Sequence, residues 1–150
     1  MVSDGIILFR LLLAALCSGS IGLEREVHGR AAGFRTHILV CVGSTLVMLT
    51  AIHLFEMYRG IVEVDPGRLA GQVISGIGFL GAGTIIQFKD SVRGLTTAAS
   101  LWVAAGIGLA VGSGFYVGAI ATTVIVLVAL YILSSVERHV VGSKQKLNGG

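Results

Sequence analysis

Residues 68–102 read RLAGQVISGIGFLGAGTIIQFKDSVRGLTTAASLW, and their reading decides the fold. The first part, residues 69–88, holds 20 residues without a charge. At about 1.5 Å rise per residue, such a run crosses a hydrocarbon core of roughly 30 Å as one helix. Its composition is unusual for a lipid-facing helix, because Gly71, Gly76, Gly78, Gly81 and Gly83 lie in it together with Gln72, Ser75, Thr84 and Gln87. On a helical wheel, Gly71, Gln72, Ser75, Gly76, Gly78, Ala82 and Gly83 share one half. Val73, Ile74, Ile77, Leu80 and Ile85 share the other, with Phe79 and Gly81 as exceptions. The small half admits a second backbone at close range, and the apolar half can face lipid. Lys89, Asp90 and Arg93 then mark a return to water before the next span begins.

The composition places the whole chain in a membrane. Hydrophobic residues make up 54% and charged residues 13%, mean hydropathy is +0.89, and 22 glycines stand against one proline. These values lie far from those of soluble globular proteins. The amino-terminal residues 1–5 contain Asp4 and no basic residue, unlike a cleaved signal, so the first apolar span is expected to be retained. That span covers residues 5–23 and is interrupted by Arg10, whose long stem is expected to carry its charge to the interface, the alternative being a buried functional charge. The second covers residues 37–57, with His53 inside it. A turn containing Pro66 leads into the glycine-rich third span, which is either continuous or broken within residues 76–83. The fourth covers residues 96–111 and the fifth residues 115–136. The expected architecture is therefore an all-α bundle of five transmembrane helices over residues 1–137, followed by a short polar tail, 138–150. Closed barrels alternate residue by residue, and these runs do not.

Charge position orients the bundle. The loop after span one, the loop after span three and the tail hold Arg25, Arg30, Arg35, Lys89, Arg93, Arg138, Lys144 and Lys146, whereas the opposite side holds Arg59 and Arg68. The positive-inside rule then puts the amino terminus outside and the carboxyl terminus in the cytoplasm. Arg10 and Arg68 are 58 residues apart, as are Arg35 and Arg93. This is a faint sign of parallel duplication, or of arginines recurring at membrane boundaries for topological reasons alone.

Chemistry-bearing residues are sparse. No carboxylate falls in the middle of a span, which disfavours a proton relay or a dehydrating Mg²⁺ path. Backbone carbonyls of a broken third span would still be able to bind a cation. No phosphate-binding loop, zinc motif or nucleophile with an adjacent base is present, so neither enzymatic activity nor a cofactor is expected. His28, His37, His53 and His139 are spread over both faces, against a shared metal site. Cys17 and Cys41 read as packing residues. What remains is the inner face, where Glu24, Arg25, Glu26, Arg35, Thr36 and His37 reach the same depth as Arg93, Thr96 and Thr97. Such a set forms either a topological and helix-capping network or a site for an anion or lipid headgroup. Trp102, inside span four, is expected to pack with its indole N–H on a partner such as Gln72.

The motifs LERE (23–26), AGFRTH (32–37), DPGRLA (65–70), SGIGFLGAG (75–83) and VRGLTTAASLW (92–102) resemble, in order and spacing, the membrane domain of the MgtC/SapB family of bacterial and archaeal proteins. The resemblance covers residues 8–137. It implies a multi-pass protein of the prokaryotic cytoplasmic (inner) membrane, associated with growth in low magnesium and, in pathogens, with survival inside macrophages. It also implies a regulator rather than a magnesium carrier, acting in part through the membrane sector of the F-type ATP synthase. Relative to long family members, the chain reads as a short form without a soluble carboxyl-terminal domain.

Two functions follow as expectations. One is a non-enzymatic membrane modulator whose small-residue face docks on another membrane protein or on its own copy, a dimer being favoured. The other is a small oligomeric transporter or channel that offers Gln72 and the carbonyls of residues 76–83 to a cation or small solute. Nucleic acid is not an expected partner; the lipid bilayer is.

Overall fold

The structure is a computed structural model that describes the backbone of residues 2–89 and 91–147 and side chains through residue 132. Asp90 and the tail charges Glu137, Arg138, Lys144 and Lys146, with His139, therefore lie outside the described side chains. Five helices form among the described residues: α1 (Asp4–Val27), α2 (Phe34–Met57), α3 (Pro66–Thr84), α4 (Leu95–Ser113) and α5 (Tyr116–Leu147). Between α3 and α4 lies a hairpin of two short strands, β1 (Ile86–Phe88) and β2 (Ser91–Arg93).

Three helices, α1, α2 and α4, are long and apolar enough to cross a membrane, and the apolar described part of α5 is Tyr116–Ile132. The third helix falls short of that standard because its glycines, Gln72 and Ser75 dilute its hydrocarbon. It is continuous and starts where Pro66 predicts. Asp65 caps it, its Oδ1 accepting from the Gly67 N–H at 2.8 Å. It ends at Thr84, one turn earlier than the uncharged run suggests, because residues 86–88 leave the helix to pair with residues 91–93. β-branched and aromatic residues favour that extended pairing.

The bundle is organised around α2 and α4, which run side by side in the same direction. His37 meets Ser100 near their starts, Thr45 meets Gly108 midway, and Met48 meets Gly112 further on. Helix α1 runs the opposite way, with Gly22 against Phe34 and His37 at one end and Arg10 against Gly112 at the other. Ala14, Cys17, Ile21, Cys41, Ile107, Val111 and Ala119 fill the space between.

The close contacts depend on glycines other than those of the third span. A Cβ on Gly108 would lie 2.3 Å from the Cys41 carbonyl oxygen, one on Gly112 would lie 2.7 Å from Met48 Cβ, and one on Gly22 would lie 2.8 Å from Phe34 Cα. The close approach lets Thr45 Oγ1 reach both the Cys41 carbonyl of its own helix and the Gly108 carbonyl of α4, each at 2.9 Å. Around Gly71, Gly76, Gly78 and Gly83 an added Cβ meets nothing within 4 Å, and only Gly81 packs, 3.6 Å from Ala98 Cβ. The apolar half of this helix is divided: Leu80 and Ile85 are exposed, while Ile77 turns inward. Ile77 is buried, and Val73, Ile77 and Leu80 face Leu39, Val40 and Val47 of α2 across an open groove of about 420 Å³. A helical wheel defines opposite faces but does not say which one turns inward when core and lipid are equally apolar.

Candidate functional site

The end of α1 and the starts of α2 and α4 converge at one end of the bundle, and the sequence concentrates polar residues there. Arg25, on the last turn of α1, is only 2% exposed. A buried guanidinium requires a counter-charge, and the neighbouring Glu24 supplies it through an ion pair from Arg25 Nε to Glu24 Oε2. The other carboxylate oxygen, Oε1, lies 3.1 Å from His28 Nδ1, which is also 2.8 Å from the Glu24 carbonyl. Glu26 performs a different task. Helix α2 begins after Gly33, which has no side chain to cap it, and Glu26 Oε2 accepts the Phe34 N–H at 2.8 Å instead. The cap of one helix thus comes from its neighbour, fixing the angle of the α1–α2 connection.

His37 joins this corner to α4. It is fully buried, and its Nδ1–H donates to the Gly33 carbonyl at 2.9 Å. With the ring neutral, Nε2 is the acceptor and faces Ser100 Oγ at 3.1 Å. The Ser100 hydroxyl also donates to the Thr97 carbonyl at 2.8 Å, so one proton is shared between the two acceptors.

Of the inner-face residues predicted from sequence, the structure brings together Glu24, Arg25, Glu26, His37 and Thr97. Arg35, Thr36, Arg93 and Thr96 are exposed at the same end of the bundle. Arg93 lies instead over the Phe88 ring, with its Cζ 5.6 Å from the centroid. Ser100 was missed, although its spacing of three from Thr97 puts both on one face of a helix. Arg10 is half-buried at the end of the bundle where α4 closes; its NH1 donates to the Gly112 carbonyl at 2.7 Å and its Nε to Tyr116 Oη at 2.9 Å, so it caps the end of α4 and ties it to α5.

The second predicted set divides in the same way. Gly71, Gln72, Ser75, Gly76, Gly78 and Gly83 form an exposed face of α3, while Gly81 is buried against α4. Trp102 is half exposed and belongs to the opening between α4 and α5, with Val103, Phe115 and Gly118. It makes no bond to Gln72, because the side of α4 that meets α3 carries Ala98, not the indole.

The family model described as "MgtC family" matches residues 11–139. YhiD of Escherichia coli (strain K12), a magnesium transporter proposed by name, is 43% identical over 125 residues, covering 82% of this chain and 58% of its own length. Protein SapB of Bacillus subtilis (strain 168) is 43% identical over 141 residues, 91% of this chain and 60% of that protein. Protein MgtC of Salmonella typhimurium (strain LT2) is 41% identical over 133 residues, 89% of this chain and 54% of that protein. The chain thus spans somewhat more than half the length of these relatives. No solved structure matches. A match over nearly the whole bundle, with bacterial relatives above 40% identity, places this protein in the MgtC family.

Proposed function

We propose that the chain is a non-enzymatic membrane regulator tied to magnesium homeostasis, and that α3 is the surface through which it acts. The observation that carries this reading is the uncovered small-residue face of α3 beside helices that already interlock. Glycine backbone, Gln72 and Ser75 are poor neighbours for hydrocarbon, and a second helix at close range covers them with packing and hydrogen bonds. Either a second copy or another membrane protein supplies that helix. The family resemblance makes the membrane sector of the ATP synthase the first heterologous partner to test. The Glu26–Phe34 cap and the His37–Ser100 link serve in this reading as the joint that holds α1, α2 and α4 in place.

One observation favours transport instead: a relative is named for magnesium transport. Against it, α3 is continuous to Thr84, so the carbonyls of residues 76–80 are engaged within the helix and only those of its last turn lie beyond the helical ladder. The test is flux of Mg²⁺ and of H⁺ into sealed liposomes containing the purified, folded chain, with protein-free vesicles as reference. The regulator reading expects no flux above background. A saturable flux abolished by Gln72→Ala would replace it with the transporter reading.

A further inference from the structure

The hairpin between α3 and α4 has no role in the reading above, yet its composition and pose are specific. Its register pairs Ile86 with Arg93, Gln87 with Val92 and Phe88 with Ser91. Paired residues share a face, so Ile86, Phe88, Ser91 and Arg93 lie on one side and Gln87 and Val92 on the other. Both strands are exposed throughout; Ile86 is 57% and Phe88 53% exposed, and Leu95, at the start of α4, is 58% exposed. A two-stranded hairpin of this length is marginal in water by itself. Its base, however, is locked. Gly94 turns the chain into α4 at φ +91°, and a Cβ there would lie 1.9 Å from the Thr84 carbonyl oxygen. The apolar face is therefore held in a fixed position where α4, a membrane-length helix, begins.

Charge identifies what covers that face. Arg93 stacks on Phe88, which leaves the edges of its guanidinium available for a bidentate acceptor. Lys89 is exposed near the tip, and Arg30 and Arg35 are exposed at the same end of the bundle. Glu26 and Asp90 offset only part of this charge, and Glu24 is matched by Arg25. Large apolar side chains with cations beside them, at the mouth of a membrane-length helix, complement the headgroup layer of an anionic bilayer.

We propose that the 86–93 hairpin is an interfacial anchor for anionic phospholipid. Ile86 and Phe88 lie at the boundary between headgroups and acyl chains, and Arg93 with Lys89 holds a lipid phosphate. This inference is independent of whether the chain regulates or transports.

The test uses the full chain in vesicles of phosphatidylcholine, with or without phosphatidylglycerol, and Phe88→Trp in a Trp102→Phe background as the only indole. The expected result is blue-shifted emission that shallow brominated lipids quench and aqueous acrylamide does not. Brominated phosphatidylglycerol should be enriched over brominated phosphatidylcholine by about fivefold for each basic residue engaged. Lys89→Gln with Arg93→Gln should abolish that enrichment while helical content is retained. Red-shifted emission quenched by acrylamide in both vesicle types would overturn the anchor. Quenching equal for the two brominated lipids, with or without the Gln substitutions, would overturn the anionic recognition.

Discussion

At the scale of single residues, the same amino acid does opposite work in neighbouring helices. Gly108 has the Cys41 carbonyl directly over it, whereas Gly78 has open space, so the two positions should respond differently to one added methyl group. Gly108→Ala must separate α2 from α4 or distort one of them, an overpacking cost of about 1–3 kcal/mol. Gly78→Ala changes nothing that the chain packs against and should cost nothing, helix propensity favouring it by up to about 1 kcal/mol. Thermal unfolding in detergent measures both, and equal midpoints for the two variants would mean that the close α2–α4 contact is wrong. Gly78→Leu carries the comparison further. It should leave the unfolding midpoint of the monomer unchanged while lowering recovery of any oligomer that uses the α3 face.

At the scale of elements, α3 differs from its neighbours in how little of it is buried. Only Ile77 and Gly81 are buried in it, against nine residues in α4, including Thr97, Ser100 and Leu101. Amide hydrogens of helices with few tertiary contacts open at lower free energy. In detergent, at a concentration where the chain is monomeric, α3 and the following hairpin should therefore exchange with deuterium before α4 does. Equal protection of the two helices under those conditions would contradict the loose attachment described here. The helices themselves were legible in the sequence because apolar runs, Pro66 and the charged loops bound them. The corner where Glu24, Arg25, Glu26 and His37 meet was legible too, since topology brings those positions to one depth. Inward and outward halves of α3 were not, because polarity contrast points the way in water and loses that meaning in lipid. Nor were the interlocking glycines of α1 and α4. Their importance lies in a carbonyl or a Cβ from another helix arriving opposite, and a single chain read in order does not record that encounter. The partners of Arg10 were not legible for a related reason: Gly112 and Tyr116 are distant in sequence and become its neighbours only through the α4–α5 turn.

At the scale of the whole molecule, direction decides what composition leaves open. Because His37 meets Ser100 and Met48 meets Gly112, α2 and α4 run parallel, and the end of α2 is at the opposite end of the bundle from the start of α4. The chain between them must traverse the bundle, and α3 is the only helix available to do so. We therefore propose that α3, too polar to qualify as a span by itself, crosses beside two helices that do qualify. Charge then gives the sense of the crossing: Arg30, Arg35, Lys89 and Arg93 gather at the end where α2 and α4 begin, and Arg59 and Arg68 at the other. By the positive-inside rule we propose that the first end is cytoplasmic. Val62 and Lys89, both exposed and on either side of α3, report this directly. Val62→Cys should react with a membrane-impermeant maleimide in intact spheroplasts, and Lys89→Cys only after lysis. The native Cys17 and Cys41 are buried and should stay unlabelled in both conditions. Labelling of both introduced cysteines in intact cells would show that α3 does not cross. Labelling of Lys89→Cys alone would show that it crosses in the opposite sense, with the basic end of the bundle outside.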